Sequence, residues 1–276
     1  MRINKFSKVK ISNFAGVITG VLFLVLAIGF SVNDPMAFIN VWGLLIVFGG
    51  TITAMLVSYS FHELINALKQ AQVLTTPVNL DMTEDVNRIL HFSKLWFRHQ
   101  YAQVDAELDQ LDDRFLQKGL QMVRDRQSND DVMALLNWKI SQIRSQKSAV
   151  INIFRSMATF APIFGMVGSL VGLVNMLQII EQGSLGTASS DMALALVTTF
   201  YGLLLANLVF KPITTRLEQR RNLKIVQLTM VAEGIALIQQ QRTPAAIRDI
   251  LMSYVQGQYR EPRAEAMKPL IAKYSV

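Results

Sequence analysis

Asp, Glu, Lys and Arg are absent from four long stretches of this chain: residues 11–33, 35–62, 156–180 and 192–210. Each is almost continuously apolar and lacks the polar face of a surface helix. A bilayer core about 30 Å thick takes about 20 apolar helical residues. The pattern predicts four transmembrane helices rather than the buried helices of a soluble bundle. The first stretch follows Arg2, Lys5, Lys8 and Lys10, as the core of a signal peptide would. Its run is longer than such a core, and its exit at Ser31–Pro35 lacks a small-residue cleavage pattern. It reads as an uncleaved spanning helix.

Between the second and third stretches the pattern changes to helical stripes. Val86, Ile89 and Leu90, then Leu108, Leu111 and Phe115, then Val132, Leu135, Leu136, Ile140 and Ile143 predict three amphipathic helices. Thr75-Thr76-Pro77 breaks the chain ahead of them, and Asp81 and Asn129 are the expected N-caps. After Pro212 a helix is expected to run to about Gln241, with Leu217, Leu223, Ile225, Leu228, Val231, Ile235 and Ile238 inward. Thr243-Pro244 then reads as a cap followed by proline at the first helical position. The expected fold is all-α, in five parts. Residues 1–13 form a basic N-terminus and 14–62 the first membrane hairpin. Residues 63–155 form a helical insertion, 156–211 the second hairpin, and 212–276 a helical tail.

Composition sharpens this picture. Only 17% of residues are charged, mean hydropathy is +0.31, and there is no cysteine. Disulfide frameworks, thiol nucleophiles and cysteine-ligated metals are excluded. The net charge of +7 is explained by its placement: all 27 basic residues precede the first stretch, lie between the second and third, or follow the fourth. The two short connections at 33–40 and 181–191 carry only Asp34, Glu181 and Asp191. By the positive-inside rule, both termini and the insertion face the cytoplasm. No aromatic-interleaved basic patch remains to suggest a nucleic acid.

The spans contain no ionisable carboxylate, the usual carrier of a proton or cation through a membrane. An ion path here must borrow one from a partner. What the spans offer is small and hydroxylic. Gly165, Gly168, Ser169 and Gly172 leave one face of the third helix nearly bare, with a GxxxG spacing from Gly168 to Gly172. Such spacing specifies close helix packing, within the chain or against a partner. The fourth carries Thr198, Thr199, Tyr201, Gly202 and Asn207, although a helical threonine often bonds only its own backbone. Pro162 and Pro212 each remove a helical hydrogen bond.

Taken together, these strings resemble a known family. Ala161-Pro-Ile-Phe-Gly-Met-Val-Gly-Ser-Leu-Val-Gly-Leu-Val-Asn-Met-Leu177 is similar to the third membrane helix of flagellar stator A subunits, the MotA/PomA family of the MotA/TolQ/ExbB superfamily. Ala193-Leu-Ala-Leu-Val-Thr-Thr-Phe-Tyr-Gly-Leu-Leu-Leu-Ala-Asn-Leu-Val-Phe-Lys-Pro212 resembles the fourth, on the PomA side. Phe115-Leu-Gln-Lys-Gly119 and Ile46-Val-Phe-Gly-Gly50 match as well.

The resemblance implies a multi-pass protein of the bacterial inner membrane. Five A subunits would surround a MotB/PomB-type dimer that supplies the ion-binding Asp. Cation flow would turn the ring, and the insertion would push the rotor protein FliG. Ser169, Thr199 and Thr198 would then lie on the ion path, and Pro162 and Pro212 would couple ion binding to movement. Arg98, His99 and Glu107 would face the rotor, while Gly165, Gly168 and Gly172 would pack helices. The rotor positions depart from the family pattern, as does Asn40, where sodium-type members carry an acid. No cofactor or metal is expected beyond the transported cation, with sodium slightly favoured over the proton. The alternative is an A-type subunit that drives something other than a flagellum. An enzyme is disfavoured, because His62, His91 and His99 are the only histidines and none lies in a span beside a nucleophile.

Overall fold

A computed structural model describes residues 38–72, 82–181 and 185–259, with positions 19, 20, 22, 23, 26, 29 and 30. Every regular element among the described residues is helical: α1 (Val41–Ser58), α2 (Phe61–Gln72), α3 (Met82–Phe97), α4 (Tyr101–Leu108), α5 (Arg114–Arg124), α6 (Asn129–Glu181), α7 (Leu185–Leu204), a π-helical segment (Leu205–Phe210), α8 (Lys211–Gln239) and α9 (Pro244–Tyr259). Three runs are long and apolar enough to cross a membrane: Val41–Ser58, one within Asn129–Glu181, and one within Ser190–Gln239. They coincide with the second, third and fourth charge-free stretches. The first stretch and the cap expected at Asp81 lie outside the described residues, apart from the scattered helical positions above.

The chain forms two compact units, one of residues 1–78 and 146–220 and the other of 79–145 and 221–276. In the first, α1 ends where Tyr59 turns to extended backbone, and α2 begins behind a capping box. The Ser60 amide donates to Glu63 Oε2 at 2.9 Å, and Ser60 Oγ accepts from the Glu63 amide at 3.4 Å. Met55, Leu64, Ala67, Phe154, Ala161 and Phe210 anchor the core of this unit. Tyr59 and Ser156 share a hydroxyl hydrogen bond of 3.0 Å, and Arg155 pairs with Glu218.

The second unit buries α3, α5, the first turns of α6, and α8 around Ile89, Leu120, Leu136, Ile235 and Ile238, with α9 adding Ile247 and Leu251. The stripe at Leu108, Leu111 and Phe115 predicted one helix. It is two, because Asp113 Oδ1 accepts from the amides of Phe115 and Leu116 at 2.8 and 3.3 Å and starts α5 afresh. The cap of α6 is Ser128, one residue before the Asn129 expected. Its hydroxyl accepts from the Asp131 amide at 3.1 Å and donates to the Asp131 carboxylate at 2.6 Å. Thr243 caps α9 as expected, accepting from the Ala246 amide at 3.4 Å.

Three helices of this unit end in the same way. The amides of Gln100, Gln127 and Arg242 reach back five residues, and those of His99, Arg126 and Gln241 reach back three. These are Schellman motifs. Their left-handed residues are His99, Arg126 and Gln241, at φ 59°, 56° and 55°, where glycine is usual.

Candidate functional site

The hydroxyls and the glycines of the third and fourth spans meet along one seam, where α6 packs on α7. A Cβ built on Gly165 would lie 3.0 Å from the Thr198 carbonyl oxygen, and one on Gly172 2.7 Å from the Asp191 carbonyl oxygen. On Gly168 it would lie 2.6 Å from Thr198 Cβ, and on Gly202 2.6 Å from the Ala161 carbonyl oxygen. The glycine face therefore serves packing within this chain, which the sequence left open. Buried positions on α6 fall at Phe154, Ala158, Ala161, Gly165, Gly168 and Gly172, alternating four and three apart as a regular α-helix requires.

At one edge of the seam Ser169 Oγ meets Thr199 Oγ1. Ser169 also donates to the Ala195 carbonyl at 2.6 Å, and the Gly165 carbonyl lies 3.2 Å from it. With the Ser169 proton directed at Ala195, Thr199 is the donor between the two hydroxyls. That order leaves lone pairs on Thr199 Oγ1 and one on Ser169 Oγ. Both residues are half-buried. The exposed side chains of Met166, Leu173, Leu196 and Leu203 flank them. The result is a small oxygen-rich notch set in an apolar face.

Thr198, expected on the ion path beside Thr199, is placed otherwise. It is fully buried, its hydroxyl donates to the Ala195 carbonyl at 3.0 Å, and its methyl fills the space left by Gly43 and Gly168. It is a packing residue between α1, α6 and α7. Asn40, the position lacking an outer acid, caps α1: its side-chain oxygen accepts from the Gly43 amide at 2.9 Å.

Pro162 lies within α6, its Cα close against Gly202. Pro212 follows the π-helical segment. The Lys211 amide already reaches back five residues to the Ala206 carbonyl. A wider turn at this point relieves the clash between a proline ring and the preceding turn. Residue types alone do not announce this segment; the burial around it does. Buried positions fall at Thr198, Gly202, Ala206, Phe210 and Thr214, four residues apart throughout. In a straight α-helix that run drifts by about 160° around the axis. One inserted residue of twist, about 100°, takes up most of it.

The expected rotor positions lie in the second unit. Arg98 and His99 sit at the turn after α3, with His99 Nδ1 3.0 Å from the Tyr101 hydroxyl. Glu107, near the end of α4, pairs with His91 at 2.7 Å and accepts from Gln103 at 3.0 Å. These hydrogen bonds, that from His91 foremost, hold the Glu107 carboxyl below its ordinary range. The pair lines an open groove of about 660 Å³ with Glu84, Arg88, Gln110 and Leu111. His91 was missed as a partner because it lies 16 residues away on another helix.

Comparison with known proteins accords with these features. Residues 107–230 match the MotA/TolQ/ExbB proton channel family. The uncharacterized protein YtxD of Bacillus subtilis is 30% identical over 244 residues, covering 87% of this chain and 88% of that protein. The chemotaxis protein PomA of Vibrio alginolyticus is 29% identical over 247 residues, covering 89% and 95%. The solved structure of MotAB from C. jejuni shares the fold, with a TM-score of 0.79 at 16% identity over 88% of this chain and 95% of that one. On this sequence match, sustained over nearly the full length of its relatives, the chain belongs to the MotA/TolQ/ExbB family, among the MotA/PomA proteins.

Proposed function

We propose that this chain is the A subunit of an ion-driven flagellar stator, working with a B subunit that brings the membrane carboxylate. The observation that carries the reading is the Ser169–Thr199 notch. It offers oxygen lone pairs on an apolar helix face, in spans that contain no acid or base of their own. A buried carboxylate on a partner helix needs such polar neighbours, and the exposed leucines around the notch suit that helix. By resemblance, the partner is a MotB/PomB-type dimer inside a pentameric ring of A subunits. Both termini and the insertion face the cytoplasm, where Arg98, His99 and Glu107 meet FliG, and Pro162 and Pro212 serve as the bending points.

Sodium fits the notch slightly better than a proton. A sodium ion must replace its water with several oxygens, and two hydroxyls with lone pairs facing one helix pair supply part of that shell. The test uses cells whose only stator is this chain with its B subunit, with sodium replaced by potassium at constant pH. Speed should fall with sodium. Undiminished speed would identify a proton motor, and no swimming at any ion concentration despite normal membrane amounts would overturn the stator reading.

A further inference from the structure

Tyr201 stands two residues beyond Thr199 on α7, yet its hydroxyl does not join the notch. It donates to the Phe38 carbonyl and accepts from the Asn40 amide at 2.9 Å. Both partners are backbone groups at the entrance to α1, more than 160 residues away in sequence. The neighbouring Phe200 ring meets Phe38 edge-on at 5.7 Å. Directly below, the methyl of Thr198 occupies the gap at Gly43, the residue whose amide Asn40 caps. The start of α1 is thus latched to the stretch of α7 that carries both threonines. A tyrosine side chain leans toward the N-terminus of its helix, so the latch lies on the Asp191 side of Thr199. On the expected topology that is the outer side, from which the ion arrives.

Resting on the reading that Ser169 and Thr199 line the ion path, we propose that Tyr201 is a positioning residue for that path. By pinning the start of α1 to α7, its hydroxyl holds Gly43 against Thr198, steadies the backbone that carries Thr199, and so sets the ion concentration at which the motor saturates. Without the hydroxyl, the half-buried Phe38 carbonyl and Asn40 amide lose their partner, and the start of α1 shifts to find another. Thr198, wedged against Gly43, carries that shift into the backbone of Thr199. The effect falls on ion occupancy, because no atom that touches the ion is removed.

The test is Tyr201→Phe in the full chain with its B subunit, as the only stator of the cell. Speed per stator unit is read from the discrete steps of a recovering motor across a range of ion concentrations. Ser169→Ala is measured in parallel. The half-saturating ion concentration of Tyr201→Phe should rise roughly three- to tenfold, the range that the net worth of an ordinary hydrogen bond implies, with maximal speed per unit retained. An unchanged half-saturating concentration overturns the proposal, whether or not maximal speed falls. So does failure of the variant to reach the membrane, which would make the hydroxyl an assembly device. If Ser169→Ala shifts the requirement and Tyr201→Phe does not, this proposal fails and the stator reading stands. If neither shifts it, the notch reading fails as well.

Discussion

Replacing Gly202 by Ala adds one methyl group where the seam brings a glycine closest to the backbone of the facing helix. That methyl would stand 2.6 Å from the Ala161 carbonyl oxygen and 3.0 Å from Pro162 Cα, both backbone atoms of α6 that cannot rotate away. Ordinary contact begins at 3.4 Å, so the helices must separate locally by roughly 1 Å. A gap of about 0.5–1 Å forfeits a quarter to a half of each dispersion contact it opens. Gly165 and Gly168 share the seam and lose contacts too. Overpacking of this kind costs about 1–3 kcal/mol, and the better helix propensity of alanine returns about 1 kcal/mol. Gly49 on α1 supplies the control, since a methyl there meets nothing within 4 Å. Gly49→Ala carries the propensity gain alone, so the difference between the two variants isolates the packing cost at about 1–3 kcal/mol. The assay is unfolding of the isolated chain in mild detergent titrated with dodecyl sulfate, followed by circular dichroism. Gly202→Ala matching or exceeding Gly49→Ala in stability would refute the close-packed seam.

Arg126→Gly should stabilise the protein by about 0.5–1 kcal/mol in the same titration, because glycine adopts a φ of 56° without a Cβ penalty; a loss of stability would contradict the Schellman geometry. Ser128→Ala should cost about 1 kcal/mol by removing the α6 cap, whereas Asn129→Ala should cost less, and the reverse ranking would return the cap to Asn129. Burial raises the Asp85 carboxyl above its ordinary range, against the opposing hydrogen bond from Gln227. The native state therefore holds that proton more tightly than the unfolded chain, and stability falls as pH climbs from about 4 through the raised native value. Asp85→Asn keeps an acceptor for Gln227 and should flatten that part of the profile; wild-type and variant curves of equal slope would show that Asp85 is not the group responsible.

The membrane-facing architecture was legible because charge is costly in hydrocarbon, so its absence marks α1 and the spanning parts of α6 and α7 directly. The packing of the seam was legible only in part. The glycines announced close approach, but which helix would approach depends on pairing across the chain, and Thr198 and Thr199 are indistinguishable by type alone. Their different fates follow from a 100° difference in direction around α7. Local stops were hardest to read. The Leu108-Leu111-Phe115 spacing fits one helix as well as two, and only the Asp113 cap decides between them. His99, Arg126 and Gln241 end helices without the glycine that usually signals such an end. The sequence placed the boundaries of insertion and tail at the membrane, whereas the second unit joins residues 79–145 with 221–276 through apolar stripes that name no partner in advance.

The π-helical segment gives the fourth span an unusual tolerance. Elsewhere in a packed helix, losing one residue turns everything beyond it by about 100° and carries a whole buried face round to the wrong side. Between Leu205 and Phe210 the helix already holds one residue more than an α-helical repeat needs. Removing a residue there would change the spacing of the buried positions from an unbroken series of fours to one containing a three, the rhythm α6 already follows. Both ends of the helix would stay in phase with their neighbours. The segment is thus the one stretch of this span where chain length and helix phase are uncoupled, and length differences among otherwise superimposable fourth spans should collect there.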